Sequence, residues 1–254
     1  MRRTQVYAHR SLRYLPLPAH VLWSGLARAF AAQALLYWQM PLVLEWHGRA
    51  VEGFLRLAGV PWTPGGEVAV LPGIRLALLE TAALDYQQHP AWPWLFVAAA
   101  WALFWIGLRR APAPLKPLLF LPPFFLSLTL LFFVTASPQL PYAPADFYAL
   151  WCRGEAYLWL LLPLIFALGF LMPTIPLLHK ALWLVLLLFF SALWSALRLG
   201  LALATFYYLG PLWMPLFYFA GGFLADFLCI VILYSLAMRR AAEFLAIRKE
   251  AWQG

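Results

Sequence analysis

Charge is what this sequence has least of: 18 basic and 10 acidic residues in a chain of 254, or 11%. Soluble domains carry about 25% charged residues, so this scarcity excludes an ordinary soluble protein. Cysteine is nearly absent too. Cys152 and Cys229 are the only two; they fall in different apolar blocks at different expected membrane depths, which argues against a disulfide framework. There is no glycine-rich phosphate loop, and no two of His9, His20, His47, His89 and His179 stand four residues apart. The motifs that would announce a nucleotide or a metal are therefore missing, and neither a cofactor nor a metal is expected.

What the chain has instead is apolar length: 65% of it is hydrophobic. About 20 apolar residues in a helix cross a hydrocarbon core of roughly 30 Å. Six blocks come near that length, at about 18–44, 91–108, 117–136, 147–171, 181–209 and 212–238. They account for most of the sequence, so residues 1–254 read as a single integral membrane domain. The expected fold is all-α, with about six transmembrane helices. Arg2, Arg3, Arg10 and Arg13 precede a first block longer than the usual h-region of about 7–15 residues, so that block reads as a retained span.

The formal charge of +8 is explained by topology. With the N-terminus inside and six alternating spans, the inner side receives Arg2, Arg3, Arg10, Arg13, Arg109, Arg110, Lys116, Lys180, Arg239, Arg240, Arg248 and Lys249. The outer side receives Glu45, Glu52, Glu67, Glu80, Asp85 and Asp146, with Arg49, Arg56 and Arg75. This is the positive-inside pattern, and the basic excess faces an anionic inner leaflet. The partner it implies is the lipid bilayer of the cytoplasmic (inner) membrane, with both termini cytoplasmic; no nucleic acid is required. Trp38, Trp46, Trp92, Trp94, Trp151 and Trp213 fall near outer ends, where indoles face lipid and water together.

Residues 45–90 form the one long loop, an extracytoplasmic cap between helices 1 and 2. Val51, Phe54, Leu55 and Ala58 stand at helical spacing and suggest an amphipathic helix on the outer surface. Further on, Pro72-Gly73 separates Glu67–Leu71 from Ile74–Leu78. Pro second and Gly third suit a type II turn, so a short hairpin is expected.

Charges inside spans are costly and mark places of consequence. Arg28 lies near the inner end of span 1, where it snorkels to the headgroups. Cys152, Arg153 and Glu155 open span 4, Arg198 lies in span 5 and Asp226 in span 6. Two arrangements are open. A Cys152 thiol facing Arg198 in an outward pocket would have raised thiolate character. Alternatively, Arg198 pairs with Glu155 or Asp226 and holds helices together. Of the histidines, only His47 and His89 fall near outer ends, where either is a possible base.

Residues 148–236 resemble the core of the exosortase/archaeosortase family of membrane-embedded cysteine transpeptidases. The resemblance is carried by Cys152-Arg153-Gly154 at the outer start of a span, Ser195-Ala196-Leu197-Arg198 in the next, then Tyr207-Tyr208-Leu209-Gly210-Pro211 and the aromatic, glycine-containing stretch Phe217 to Gly222. It implies Cys152 as nucleophile, Arg198 supporting its thiolate or the oxyanion, and exported proteins cleaved at the outer face. Arg153 stands where the family has serine, Ser195 near its usual asparagine, and Tyr218 or Phe219 in place of its histidine. The last departure implies a catalytically degenerate relative, or one that recruits His47 or His89.

Three functions follow as expectations. The first is exosortase-like processing or handling of exported proteins. The second is a non-catalytic subunit of a multi-protein membrane complex, with Gly221 and Ala225 at small-xxx-small spacing for close helix approach. The third is a small transporter, suggested by matched interruptions at Pro122-Pro123 and Gly221-Gly222.

Overall fold

The computed structural model describes residues 19–86, 88–135, 143–170 and 177–250. Arg2, Arg3, Arg10, Arg13 and His9 lie outside the described residues, as do the side chains of His20, His179, Arg248 and Lys249. The helices are α1 (Ala19–Leu57), α2 (Trp92–Arg110), α3 (Lys116–Thr135), α4 (Pro144–Phe170) and α5 (Leu177–Leu209). A last helical run, α6, changes pitch along its length. A 3-10 turn, Pro211–Trp213, leads through Met214–Leu216 into a π-helical stretch, Phe217–Leu224, and then into the α-helix Ala225–Glu250. Between α1 and α2 lie β1 (Trp62–Leu71) and β2 (Ile74–Thr81).

Helices α2 to α6 are each long and apolar enough to cross a membrane. α1 is less uniformly apolar, but its 39 residues extend about 58 Å. This is an all-α membrane protein.

α1 continues straight through the region read as a separate surface helix. Met40, Leu44, His47, Val51 and Leu55 recur at helical spacing and are all buried, so this stripe faces protein rather than lipid headgroups. Ala58, expected on the same apolar face, is exposed. α1 stops at a Schellman cap: Gly59 has φ +68, Val60 N–H donates to Leu55 O at 2.9 Å and Gly59 N–H to Arg56 O at 3.1 Å.

The chain then folds back as an antiparallel hairpin running from the pair Trp62–Thr81 to the pair Leu71–Ile74. Pro72-Gly73 makes its turn, with Gly73 at φ +73, the value a type II turn requires. The strands are longer than expected because a bulge at Gly65-Gly66, between the pairs of Pro64 and Glu67, lets pairing resume beyond it. The hairpin lies along the flank of the bundle. Tyr37 donates to Pro72 O at 2.6 Å and Arg153 to Ala69 O at 2.9 Å, while Val70, Leu71, Ile74, Leu76 and Leu79 join the main core.

At the hairpin end of the bundle, Tyr208 of α5 donates to Ala58 O at 2.9 Å, and Tyr86 donates to Leu209 O. Burial pushes the Tyr86 phenol above its ordinary range, which keeps it a donor. Gly210 turns the chain from α5 into α6 at φ +89, and a Cβ there would run into the Tyr86 ring. Gly210→Ala is therefore expected to cost about 2 kcal/mol from the left-handed backbone and the displaced ring. A lowered midpoint of unfolding in SDS would show it, and an unchanged midpoint would refute the account.

The double proline does not interrupt its helix. α3 runs unbroken from Lys116 to Thr135 with Pro122 and Pro123 inside it, a tolerance known in membrane helices, where neighbours satisfy the freed carbonyls. Only the glycine pair in α6 coincides with a change of pitch. The matched interruptions that suggested a transporter reduce to one.

Candidate functional site

Three helices meet around one guanidinium. On α5, Ser191, Ser195 and Arg198 follow helical spacing and are all buried. α4 presents Trp151, Glu155 and Trp159 at intervals of four, and these are buried too. α6 contributes Asp226 and the Gly221-Gly222 backbone.

Arg198 Nη2 donates to Glu155 Oε1 at 3.0 Å and to Asp226 Oδ1. Its Nη1 donates to Gly221 O at 2.5 Å and to Gly222 O at 2.9 Å, and its Nε to Trp194 O at 3.4 Å. Arginine has five N–H donors, and all five are directed at acceptors. The guanidinium carbon lies 5.3 Å from the Trp151 ring centre and 5.6 Å from that of Trp194, within cation–π range of both. A π-helical turn replaces i→i−4 bonds with wider ones. Here that shift lies where two successive carbonyls turn to a cation.

Ser195 forms a second node. Its Oγ accepts from Trp151 Nε1 at 3.1 Å and lies 3.2 Å from His47 Nε2. His47 is fully buried, with its ring edge-on to Trp159 at 5.5 Å. Trp159 in turn donates to Ser191 at 3.2 Å. Among the side chains of this cluster, His47 Nδ1, Glu155 Oε2 and Trp194 Nε1 have no hydrogen-bond partner within the geometric limits.

Comparisons with protein families, with curated proteins and with solved structures each give no match.

Of the arrangements open to Arg198, the structure forms the ion pairs, and forms both. Cys152 is fully buried, and none of the guanidinium N–H groups is directed at its thiol, so the outward pocket expected to hold the two together is not present among the described residues. Arg153 is exposed and ties α4 to the hairpin. His89 is exposed in the loop before α2, stacked on Trp92 with ring centres 5.2 Å apart. His47 reaches Ser195 instead of a thiol. The structure thus brings together Arg198, Glu155, Asp226 and, through Ser195 and Trp151, His47. It leaves Arg153 and His89 outside.

Trp151 departs from the expected ring of interfacial indoles. It is 3% exposed, because its face covers a cation and its N–H is used internally. Trp194 has no role in the sequence reading, and Ser195 enters it only as a motif position near the family's usual asparagine, although Ser191, Ser195 and Arg198 repeat along one helical face. The Gly221 and Gly222 carbonyls carry no side-chain signal.

Beside this cluster, a hollow of about 1120 Å³ opens between α4 and α6, with Gly154, Glu155, Leu158, Tyr218, Asp226 and Phe227 among its walls. No group of three or more potential metal-ligating side chains occurs among the described residues.

Proposed function

We propose that this protein is a non-catalytic inner-membrane subunit that handles exported polypeptides at the extracytoplasmic face, with both termini in the cytoplasm. One observation carries this reading. The two groups that would make the chain a cysteine transpeptidase are sealed in the core: Cys152 has no exposed surface, and every Arg198 N–H is engaged. A nucleophile must meet its substrate, and this thiol meets only protein. The resemblance in residues 148–236 supplies the class of polypeptide, and the missing histidine agrees with a relative that has kept the scaffold without the chemistry.

Orientation rests on charge. α1, α4 and α5 come together at the hairpin end, with Glu52, Glu67, Glu80, Asp85 and Asp146 on or near it. Arg109 and Arg110 end α2 and Lys116 opens α3, flanking the turn between them at the other end. That distribution supports a hairpin on the outer side, although Arg49, Arg56 and Arg75 share that end.

The test uses the Cys229→Ser protein in intact cells, treated with a membrane-impermeant maleimide. Cys152 is expected to stay unlabelled in the native protein and to label fully after unfolding in SDS. Cys152→Ala is expected to leave handling of exported proteins, read from their amounts and C-termini by mass spectrometry, as in the parent strain. Labelling of native Cys152 together with loss of function in Cys152→Ala would transfer the protein to the transpeptidases.

A further inference from the structure

We infer that Glu155 and Asp226 form a proton-binding site: the two carboxyl groups hold one proton between them beneath the Arg198 guanidinium, and that proton ties α4 to α6. The inference goes beyond the reading as a polypeptide-handling subunit and does not depend on it.

Geometry comes first. Arg198 Nη2 reaches Glu155 Oε1 at 3.0 Å and Asp226 Oδ1 as well, so one nitrogen gathers both acids. The two carboxyl groups also lie within hydrogen-bonding reach of each other. Ionised carboxylates are acceptors only, so no bond forms between them until one carries a proton. Glu155 Oε2 is the acceptor left open, buried and without a partner. A proton turns the contact of two anions into a charge-assisted O–H···O⁻ bond, which is short and strong.

Charge sets the number of protons. Glu155 is 4% exposed and Asp226 7%. An uncompensated charge so deeply buried is costly, and like charges sharing one site resist ionising together. Without a proton the cluster holds one cation and two anions. With two protons Arg198 is left alone, and with one the cluster is neutral. The surrounding groups leave that count unchanged. Cys152 stands nearest on α4 and Cys229 on α6. From α1 comes His47, whose charged form Arg198 opposes. Ser195 of α5 adds an uncharged hydroxyl, with one hydrogen for either Glu155 or His47. The hollow adds only the phenols of Tyr157, Tyr218 and Tyr234. A metal ion fits poorly in the proton's place, because no third ligating side chain joins the two acids among the described residues.

Position gives the proton its consequence. Both acids line the hollow between α4 and α6. The guanidinium joins each of these helices to α5, whereas the shared proton joins them directly to each other. Its loss sets two carboxylates against one another across the hollow and favours a wider gap between α4 and α6.

The test uses the full-length protein in phosphatidylcholine vesicles at neutral pH. Its infrared spectrum is expected to show the carbonyl stretch of one un-ionised carboxyl, absent from both Glu155→Gln and Asp226→Asn. An amide stands in for a protonated carboxyl, so each single variant is expected to unfold in SDS near the parent's midpoint. The double variant strands Arg198 and falls well below both. The pH dependence has a definite sign. The folded parent keeps a proton that the unfolded chain releases above the ordinary carboxylate value of about 4, so rising pH favours unfolding. His47 and the exposed groups titrate alike in parent and Glu155→Gln. Relative to that variant, the parent's folding equilibrium is therefore expected to fall about tenfold per pH unit from about pH 5 to neutral, the slope of one proton. A parent spectrum without the carboxyl band, or parallel pH profiles, overturns the proposal. So do single variants as unstable as the double, which would mean that both acids are ionised. If one single variant fails to fold, the other carries the test, since either substitution removes the proton.

Discussion

Arg198→Met lowers stability by about 3–5 kcal/mol, the cost of stripping one partner from a buried ionic cluster. The loss is large because five acceptors lose their donor at once: two carboxylates, the Gly221 and Gly222 carbonyls, and Trp194 O. Glu155 and Asp226 are then left facing each other with their shared cation gone. Arg198→Lys falls between parent and Met variant, since an ammonium keeps the charge but has three N–H groups for five acceptors. The diagnostic variant is the triple one, Arg198→Met with Glu155→Met and Asp226→Leu. Replacing a whole buried ionic cluster by apolar side chains is often close to neutral, so the triple variant recovers most of the stability lost by Arg198→Met alone. Unfolding midpoints in SDS across the series measure this. A stable Arg198→Met protein would mean that the cluster does not hold α4, α5 and α6 together. A triple variant no better than the single one would assign the loss to the glycine carbonyls.

That cluster was partly legible in the sequence, and the reason is physical. Ionisable residues inside apolar runs are rare enough to be noticed one by one, so Glu155, Arg198 and Asp226 stood out before any contact was known. Whether Arg198 faced the acids or the thiol was not legible. Glu155 and Cys152 are three residues apart on one helix, and only the rotation of α4 decides which of them turns to α5. The hairpin was legible from Pro72-Gly73 because a type II turn depends on two residue types in sequence order. Its position along the flank was not, because that depends on Tyr37 and Arg153 reaching carbonyls far away in the chain.

His47 shows the opposite failure. Counted from the end of an apolar run, it belonged at an interface. A helix that continues past the run carries it instead into the core, between Ser195 and Trp159. Apolar length reports where lipid could begin and says nothing of where a helix stops. The stop signal was present at Gly59, a left-handed cap glycine after Leu57, twelve residues beyond His47.

Gly200→Leu is the second large effect, a loss of about 3 kcal/mol. Ala192 and Ala196 are buried on α5, and Gly200 follows at the same spacing and is buried too. This is the small-residue row that lets α1 approach. The sequence reading assigned that role to Gly221 and Ala225, although Gly221 instead gives its carbonyl to Arg198. A Cβ at Gly200 would stand 2.8 Å from Phe54 Cβ. Phe54 Cβ is bonded directly to the α1 backbone, so no side-chain rotation relieves the clash and the helices must separate. In lipid, close packing supplies much of the attraction between helices, and separation forfeits it along the whole contact. His47 rides on α1, so its approach to Ser195 opens as well. Gly200→Ala is the graded version and costs about 1–2 kcal/mol. Phe54→Gly removes the colliding atom but also strips a partly buried ring from the core and puts glycine inside a helix, so it destabilises on its own; it costs less in the Gly200→Ala background than in the parent. SDS midpoints for the parent, Gly200→Ala, Phe54→Gly and the double variant form a double-mutant cycle in which the double variant is expected to lose less than the sum of the two singles. Additive losses would place the contact elsewhere, and a Gly200→Leu protein as stable as the parent would show that α1 is free to move away from α5.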